Sequence, residues 1–281
     1  MNRFGAVLQT NWDWRAAGNF IFGGTGSGLL VAAAIAGPSI AIVPGLTALA
    51  LIGAGLALVW LEIGRPWRGF NVFFHPRTSW MTREAMAASV TLALGVASLV
   101  LQNPAVMAAA GATALGFLYC QGRMLQAAKG IPAWREPAIV PLVVATGLAE
   151  GVSLYLVLAA ISGAPAAWAA STALVALLAL RAAAWHGYRL KLAASAAPQQ
   201  GLEALRAISM GFLGAGNLLP AALLATGLVV PAAGVPCVAL AGIVAIWGGW
   251  QLKFHVITRA AQVQGYAIGK LRRGHPSSYL R

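Results

Sequence analysis

The chain has 281 residues, of which 59% are apolar and only 9% charged, with a positive mean hydropathy and a formal net charge of +13. That composition excludes an ordinary soluble domain. Orientation in a membrane with anionic headgroups accounts for the positive charge more simply than nucleic-acid binding does.

A spanning helix needs about 20 mostly apolar residues. That window predicts eight spans, at about 16–36, 44–62, 84–102, 105–126, 137–161, 165–187, 207–230 and 234–257. The runs are continuous and rich in Ala, Leu and Gly, without the alternating polarity of a β-barrel. The expected fold is therefore an all-α integral membrane protein of eight transmembrane helices, arranged as two four-helix bundles in one transmembrane domain. Residues 258–281 are read as a cytoplasmic docking tail.

Helix 1 follows NWDWRAAGN and contains the run GGTGSG, Gly23 to Gly28. No strand precedes it, so it reads as close helix packing rather than as a phosphate loop. The polar residues before helix 1, with no small-residue cleavage site after them, argue that this helix is retained. Helix 2 ends at Glu62, where Gly64 and Pro66 stop it. The segment Glu62 to Glu84 then gathers four Arg, two Glu, a His, two Trp and three Phe, an unusual density for this chain. Ser79 or Thr82 suits the N-cap of helix 3, and Glu84 suits its positive end. Trp67 and Trp134 read as interface anchors, and Arg65, Arg77 and Arg83 as headgroup charges. Cys120 and Cys237 have neither CxxC nor cluster spacing, so neither a disulfide framework nor an iron-sulfur site is expected in the chain.

All 19 Lys and Arg fall before helix 1, after helix 8, or around the 2–3, 4–5 and 6–7 connections. The positive-inside rule puts that face and both termini in the cytoplasm of a bacterial inner membrane. Glu150, roughly 20 Å deep in helix 5 at 1.5 Å per residue, must be protonated or paired there. Two uses are open for it: a proton path, or an interhelix hydrogen bond. His75, His186, His255 and His275 fall at or beyond the cytoplasmic ends by this reading, which disfavours haem. No P-loop, HExxH or GxSxG is present. A secondary transporter or proton-linked carrier using Glu150 is the competing functional class.

Glu62-Ile-Gly-Arg-Pro-Trp-Arg68-Gly-Phe-Asn71, followed by Ser79-Trp80-Met-Thr-Arg83-Glu84, resembles the H-L-G-x-P-x-R-x-F-N and S-W-x-x-R-E signatures of the polysulfide reductase/DMSO reductase membrane-anchor family (NrfD/DmsC-like). The helix 4 exit through Ile131, Pro132 and Trp134 is similar too. Glu62 stands where the family often has His, so a His-centred site does not carry over unchanged.

The resemblance implies a membrane anchor that is non-catalytic alone. It would exchange electrons between the quinone pool (menaquinone or ubiquinone) and a ferredoxin-like iron-sulfur subunit bound to a molybdenum or tungsten catalytic subunit. No haem or metal is implied in this chain. Because the motif loop lies on the Arg-rich face, cytoplasmic partners follow. The opening NWDWRAAGNFIFGGTGSG is similar to the membrane subunit of a phenylacetyl-CoA:acceptor oxidoreductase-like complex.

A quinone headgroup needs hydrogen-bond partners, a proton route and an apolar slot. The cytoplasmic ends of helices 1 to 4 offer Asn11, Asp13, Arg15, Asn19, Glu62, Arg68, Trp80 and Glu84, with Trp12 and Trp14 as further walls. Glu62 and Glu150 are the proton-path candidates, and Arg68 can steady negative charge on a reduced headgroup. The competing reading of Glu62 and Arg68 is a local salt bridge.

Overall fold

The computed structural model describes residues 6–37, 42–63, 66–163, 167–195 and 197–263. Eight of its helices are long and apolar enough to cross a membrane: α1 (Trp14–Ala36), α2 (Ile42–Glu62), α3 (Trp80–Leu101), α4 (Pro104–Gln126), α5 (Ile139–Ile161), α6 (Trp168–Ala194), α7 (Gln199–Val229) and α8 (Pro231–Thr258). The protein is an all-α, multi-pass integral membrane protein.

Local chemistry sets the helix ends where hydropathy alone misses them. α3 starts at Trp80, four residues before the apolar window, because Ser79 in extended backbone accepts from the Thr82 amide at 3.3 Å. α5 starts at Ile139 after a separate helical turn, Pro132–Arg135. α6 runs to Ala194 and α7 begins at Gln199, beyond their apolar windows. The added turns are amphipathic: Leu192, Leu205 and Ile208 are buried, while Lys191, Glu203 and Arg206 face out. Asp13 caps α1 by accepting from the Arg15 amide at 2.8 Å. α1 and α7 each contain π-helical turns, Asn19–Gly23 and Gly211–Leu218, the kind of bulge that often marks a functional position.

α1 to α4 form one group and α5 to α8 another, joined mainly along α1 and α5. This junction is backbone on backbone. A Cβ built on Gly28 would lie 2.0 Å from the carbonyl oxygen of Gly147, and one on Gly151 would lie 1.9 Å from the carbonyl carbon of Gly28. Hydrocarbon supplies no hydrophobic drive between helices, so this small-residue contact and its dispersion energy hold the two halves together. Gly151→Val is therefore expected to cost at least about 3 kcal/mol. The check is the unfolding midpoint of the detergent-solubilised protein, and an unchanged midpoint would show that the junction relaxes freely.

At the face carrying the motif loop, β1 (Val7–Leu8) pairs antiparallel with β2 (Gln262–Val263). Gln9 extends the clasp through its amide to Ala261 O and its side chain to Ile257 O. The chain ahead of α1 and the chain behind α8 thus lie on one side. The proposed docking tail lies outside the described residues from 264 onward, as do Gly64 and Arg65.

Candidate functional site

The motif loop is mostly a 3₁₀ helix, Pro66–Phe74, with Trp67 82% exposed and Arg68 also facing out. It sits at the end of α2, where Trp60 and Phe70 meet edge to face at 6.1 Å. Among the described residues Arg68 and Glu62 form no ion pair. Arg15 approaches this end instead. It pairs with Asp13 at 2.8 Å and donates to Leu61 O at 3.1 Å, and its hydrogen bond holds the Asp13 carboxyl below the ordinary Asp value.

Behind that end lies a cavity of about 210 Å³ between α1, α2, α3 and α4. Its polar wall is Asn19, Glu62 and Glu84; its apolar wall includes Trp12, Phe20, Met81 and Met124. Asn19 and Glu84 are buried, and the Asn19 amide donates to Glu84 Oε1 at 3.1 Å. The Oδ1 of Asn19 is buried without a protein partner. Gln121 braces the floor by donating from Nε2 to Asn19 O at 3.2 Å. Asn19 and Phe20, the first two residues of the π-helical turn, both line the cavity. Trp12 is held at its post by stacking on Trp134, 4.9 Å away, whose Nε1 donates to Val256 O at 2.8 Å. A second space, near Phe20 and Leu142, measures about 10 Å³, enough for a water-sized group only.

A separate polar cluster lies deeper. Glu150 is fully buried and pairs with Lys253 at 2.5 Å. Thr25 also donates to Glu150, at 2.8 Å, and accepts from Trp250 Nε1 at 2.9 Å. Arg181, likewise fully buried, donates from Nε to Asn217 Oδ1 at 2.9 Å, from Nη1 to Ala245 O at 3.1 Å, and from Nη2 to Gly216 O. Its site is a cradle of neutral acceptors left open by the π-helical turn of α7.

The match to known families falls on the cavity half of the chain. Residues 6–120 match the family model described as polysulphide reductase, NrfD. Over this stretch the chain is similar to the NrfD family. The NrfD segment spans α1 to most of α4, so it carries Asn19, Glu62 and Glu84 and stops one residue short of Gln121. Glu150, Arg181 and Lys253 lie beyond it. No curated protein matches the chain.

Against the sequence expectations, the geometry gathers Asn19, Glu62 and Glu84 into one wall, with Asp13 and Arg15 paired beside them. Asn11 is exposed, Arg68 points away from the cavity lining, and Trp14 is 59% exposed, so none of these walls the space. Trp80 is outside it too, held under Arg83 and Arg123 at 4.3 and 4.4 Å. Trp134 is not an interface anchor, since it is 3% exposed and packed in the core.

Two basic residues counted toward orientation, Arg181 and Lys253, are interior hydrogen-bonding groups. The loops of the opposite face still carry no Lys or Arg. His186 lies within α6 rather than beyond its end. The carrier reading is not favoured: Glu150 is ion-paired and lines neither of the two spaces described above. Sequence reasoning missed Gln121, Met81 and Met124. Gln121 had a visible signal, an amide inside the apolar helix 105–126; the two Met had none.

Proposed function

We propose that this chain is the quinone-reactive membrane subunit of a reductase complex of the polysulphide reductase type, and that the cavity between α1 and α4 takes the quinone headgroup. The observation that carries the reading is the cavity itself: buried carboxyl and amide groups face apolar walls at one membrane end, within the NrfD-matched segment. Quinone brings two-electron, two-proton chemistry to such a site. A hydroxyl of the headgroup can donate to Asn19 Oδ1, whose oxygen otherwise lacks a partner. Glu84, aligned by Asn19, holds or gives up a proton at its carboxyl oxygens. Glu62, half-buried at the rim, passes that proton to water. Phe20, Met81 and Met124 exclude solvent from the ring.

The partners that fit are a ferredoxin-like iron-sulfur subunit and a molybdenum or tungsten catalytic subunit, docked on the motif face. The basic residues of that face support a cytoplasmic placement in a bacterial inner membrane, with both termini inside. Purification of the intact complex is expected to bring down iron-sulfur and molybdopterin subunits with this chain. A chain that purifies alone and moves solute into liposomes would overturn the assignment. For orientation, a C-terminal tag is expected to resist protease in spheroplasts and to be cut only after lysis; cleavage in intact spheroplasts would move the partners to the outside.

A further inference from the structure

Between the cavity and Glu150, polar side chains from α4 and α8 converge on Gly24. A Cβ built on Gly24 would lie 2.3 Å from Lys253 Nζ and 3.5 Å from Gln121 Oε1, so the Lys253 ammonium fills the space a side chain would take and Gln121 Oε1 borders it. One built on the preceding residue, Gly23, would lie 2.8 Å from Gln121 Nε2. A Cβ on Gly249 would lie 2.3 Å from Glu150 Oε1. These glycines make room for polar side chains. Further along the same run, Gly28 packs on the backbone of α5 instead.

The hydrogen bonding around Gly24 is incomplete in a matching way. The Lys253 ammonium carries three protons, and Glu150 Oε2 accepts one of them. Gln121 Oε1 and Glu150 Oε1 are both buried without a protein donor. Gln121 in turn holds Asn19, the cavity wall. The ammonium therefore has two acceptors within the cluster, Gln121 Oε1, which belongs to the residue holding Asn19, and Glu150 on α5. The other charge near it, Arg181, is fixed by its own acceptors at Ala245 and Gly216, a turn of α8 away from Gly249.

We propose that Lys253 is a mobile counter-charge for the cavity, its ammonium shifting beside Gly24 from Glu150 to Gln121 Oε1 as electrons arrive on the bound headgroup. When Lys253 leaves, one proton from the aqueous face neutralises the Glu150 carboxylate. Lys253 keeps its own protons, so the interior gains one positive charge opposite the charge delivered to the site. Lys253 acts through Gln121 and Asn19 and is a positioning residue. This inference rests on the quinone reading above.

Gly24→Ala in the intact complex tests it by placing a methyl against the Lys253 ammonium. Quinone-linked turnover is expected to fall on the order of tenfold, with dye-linked turnover of the catalytic subunit unchanged. In the Glu150→Gln/Lys253→Met background, Gly24→Ala is expected to cost nothing further, the non-additivity of groups that share one pathway. Redox-difference infrared spectra supply a readout that packing alone does not move. Reduction of the bound quinone is expected to raise a protonated-carboxyl band that is absent in Glu150→Gln and suppressed in Gly24→Ala. Additive losses in the double background, or no such carboxyl band in the wild-type complex, would overturn the proposal. Binding of a fluorescent hydroxyquinoline N-oxide, a headgroup mimic, separates the two readings. Quenching that depends on Asn19 and Glu84, together with a silent Glu150, removes the counter-charge and leaves the quinone site. Binding indifferent to those cavity residues removes both.

Discussion

Glu84→Gln and Asn19→Leu, each in the assembled complex, are expected to lower quinone-linked turnover on the order of tenfold or more while dye-linked turnover stays at the wild-type level. The reasons differ. Glu84→Gln keeps the shape and the hydrogen bond to Asn19 but removes the group that holds a proton, so the loss should fall on kcat. Asn19→Leu removes the unpartnered Oδ1 and the alignment of Glu84, so KM for quinol should rise as well. Glu62→Gln at the rim should slow proton exit and lower kcat. Arg68→Met, directed away from the cavity lining, should leave quinone KM unchanged and serves as the contrast. Steady-state kinetics with a soluble quinol analogue decide the matter. If Glu84→Gln and Asn19→Leu both show wild-type constants in an assembled complex, the cavity is not the quinone site.

Lys253→Met is expected to destabilise the protein by about 3–5 kcal/mol, because it strands the Glu150 carboxylate between α5 and α8 with only Thr25 donating to it. Glu150→Gln combined with Lys253→Met should recover most of that loss, since a neutral pair has no unpaired charge to bury. Arg181→Met should cost about 1–3 kcal/mol for each strong acceptor left bare, among them Asn217 Oδ1 and the carbonyl of Ala245. Chemical unfolding in detergent, monitored by helical circular dichroism, measures all three. A Lys253→Met midpoint equal to wild type would mean that Glu150 is held neutral without Lys253. The ion pair would then be dispensable for folding.

The expected pattern ties the two halves of the molecule together. Cavity substitutions act on turnover with little effect on stability, because Glu62 and Glu84 border open space. Substitutions at Lys253 and Arg181 act on stability first, because those groups are fully enclosed. Gly24 stands between the two classes, with Lys253 lying where its side chain would be and Gln121 bordering that space.

The sequence by itself determined the fold class and the number of spans, since a 20-residue apolar run in lipid has few alternatives to a helix. It also marked the functional end. Glu62, Glu84 and Asn19 were legible as polar residues at the membrane ends of three different helices, and a motif shared with a known family linked two of them. Helix ends, by contrast, depended on Ser79 as a cap and on amphipathic turns such as those of α7, which a hydropathy window averages away.

Only the tertiary structure decided which polar groups meet. Arg68 and Glu62 are near in sequence, yet Arg68 lies exposed in the 3₁₀ turn, while Asn19, in the π-helical turn of α1, bonds Glu84 on another helix. Arg181 and Lys253 look like topology charges when counted along the chain. Inside the bundle they are interior groups: Gly24 leaves room for the Lys253 ammonium, Gly249 leaves room for its partner Glu150, and Arg181 reaches acceptors on α7 and α8. Charge counting along a chain carries no information about such reach. It is set by which small residues face one another once the helices cross, and that is a property of the packed molecule.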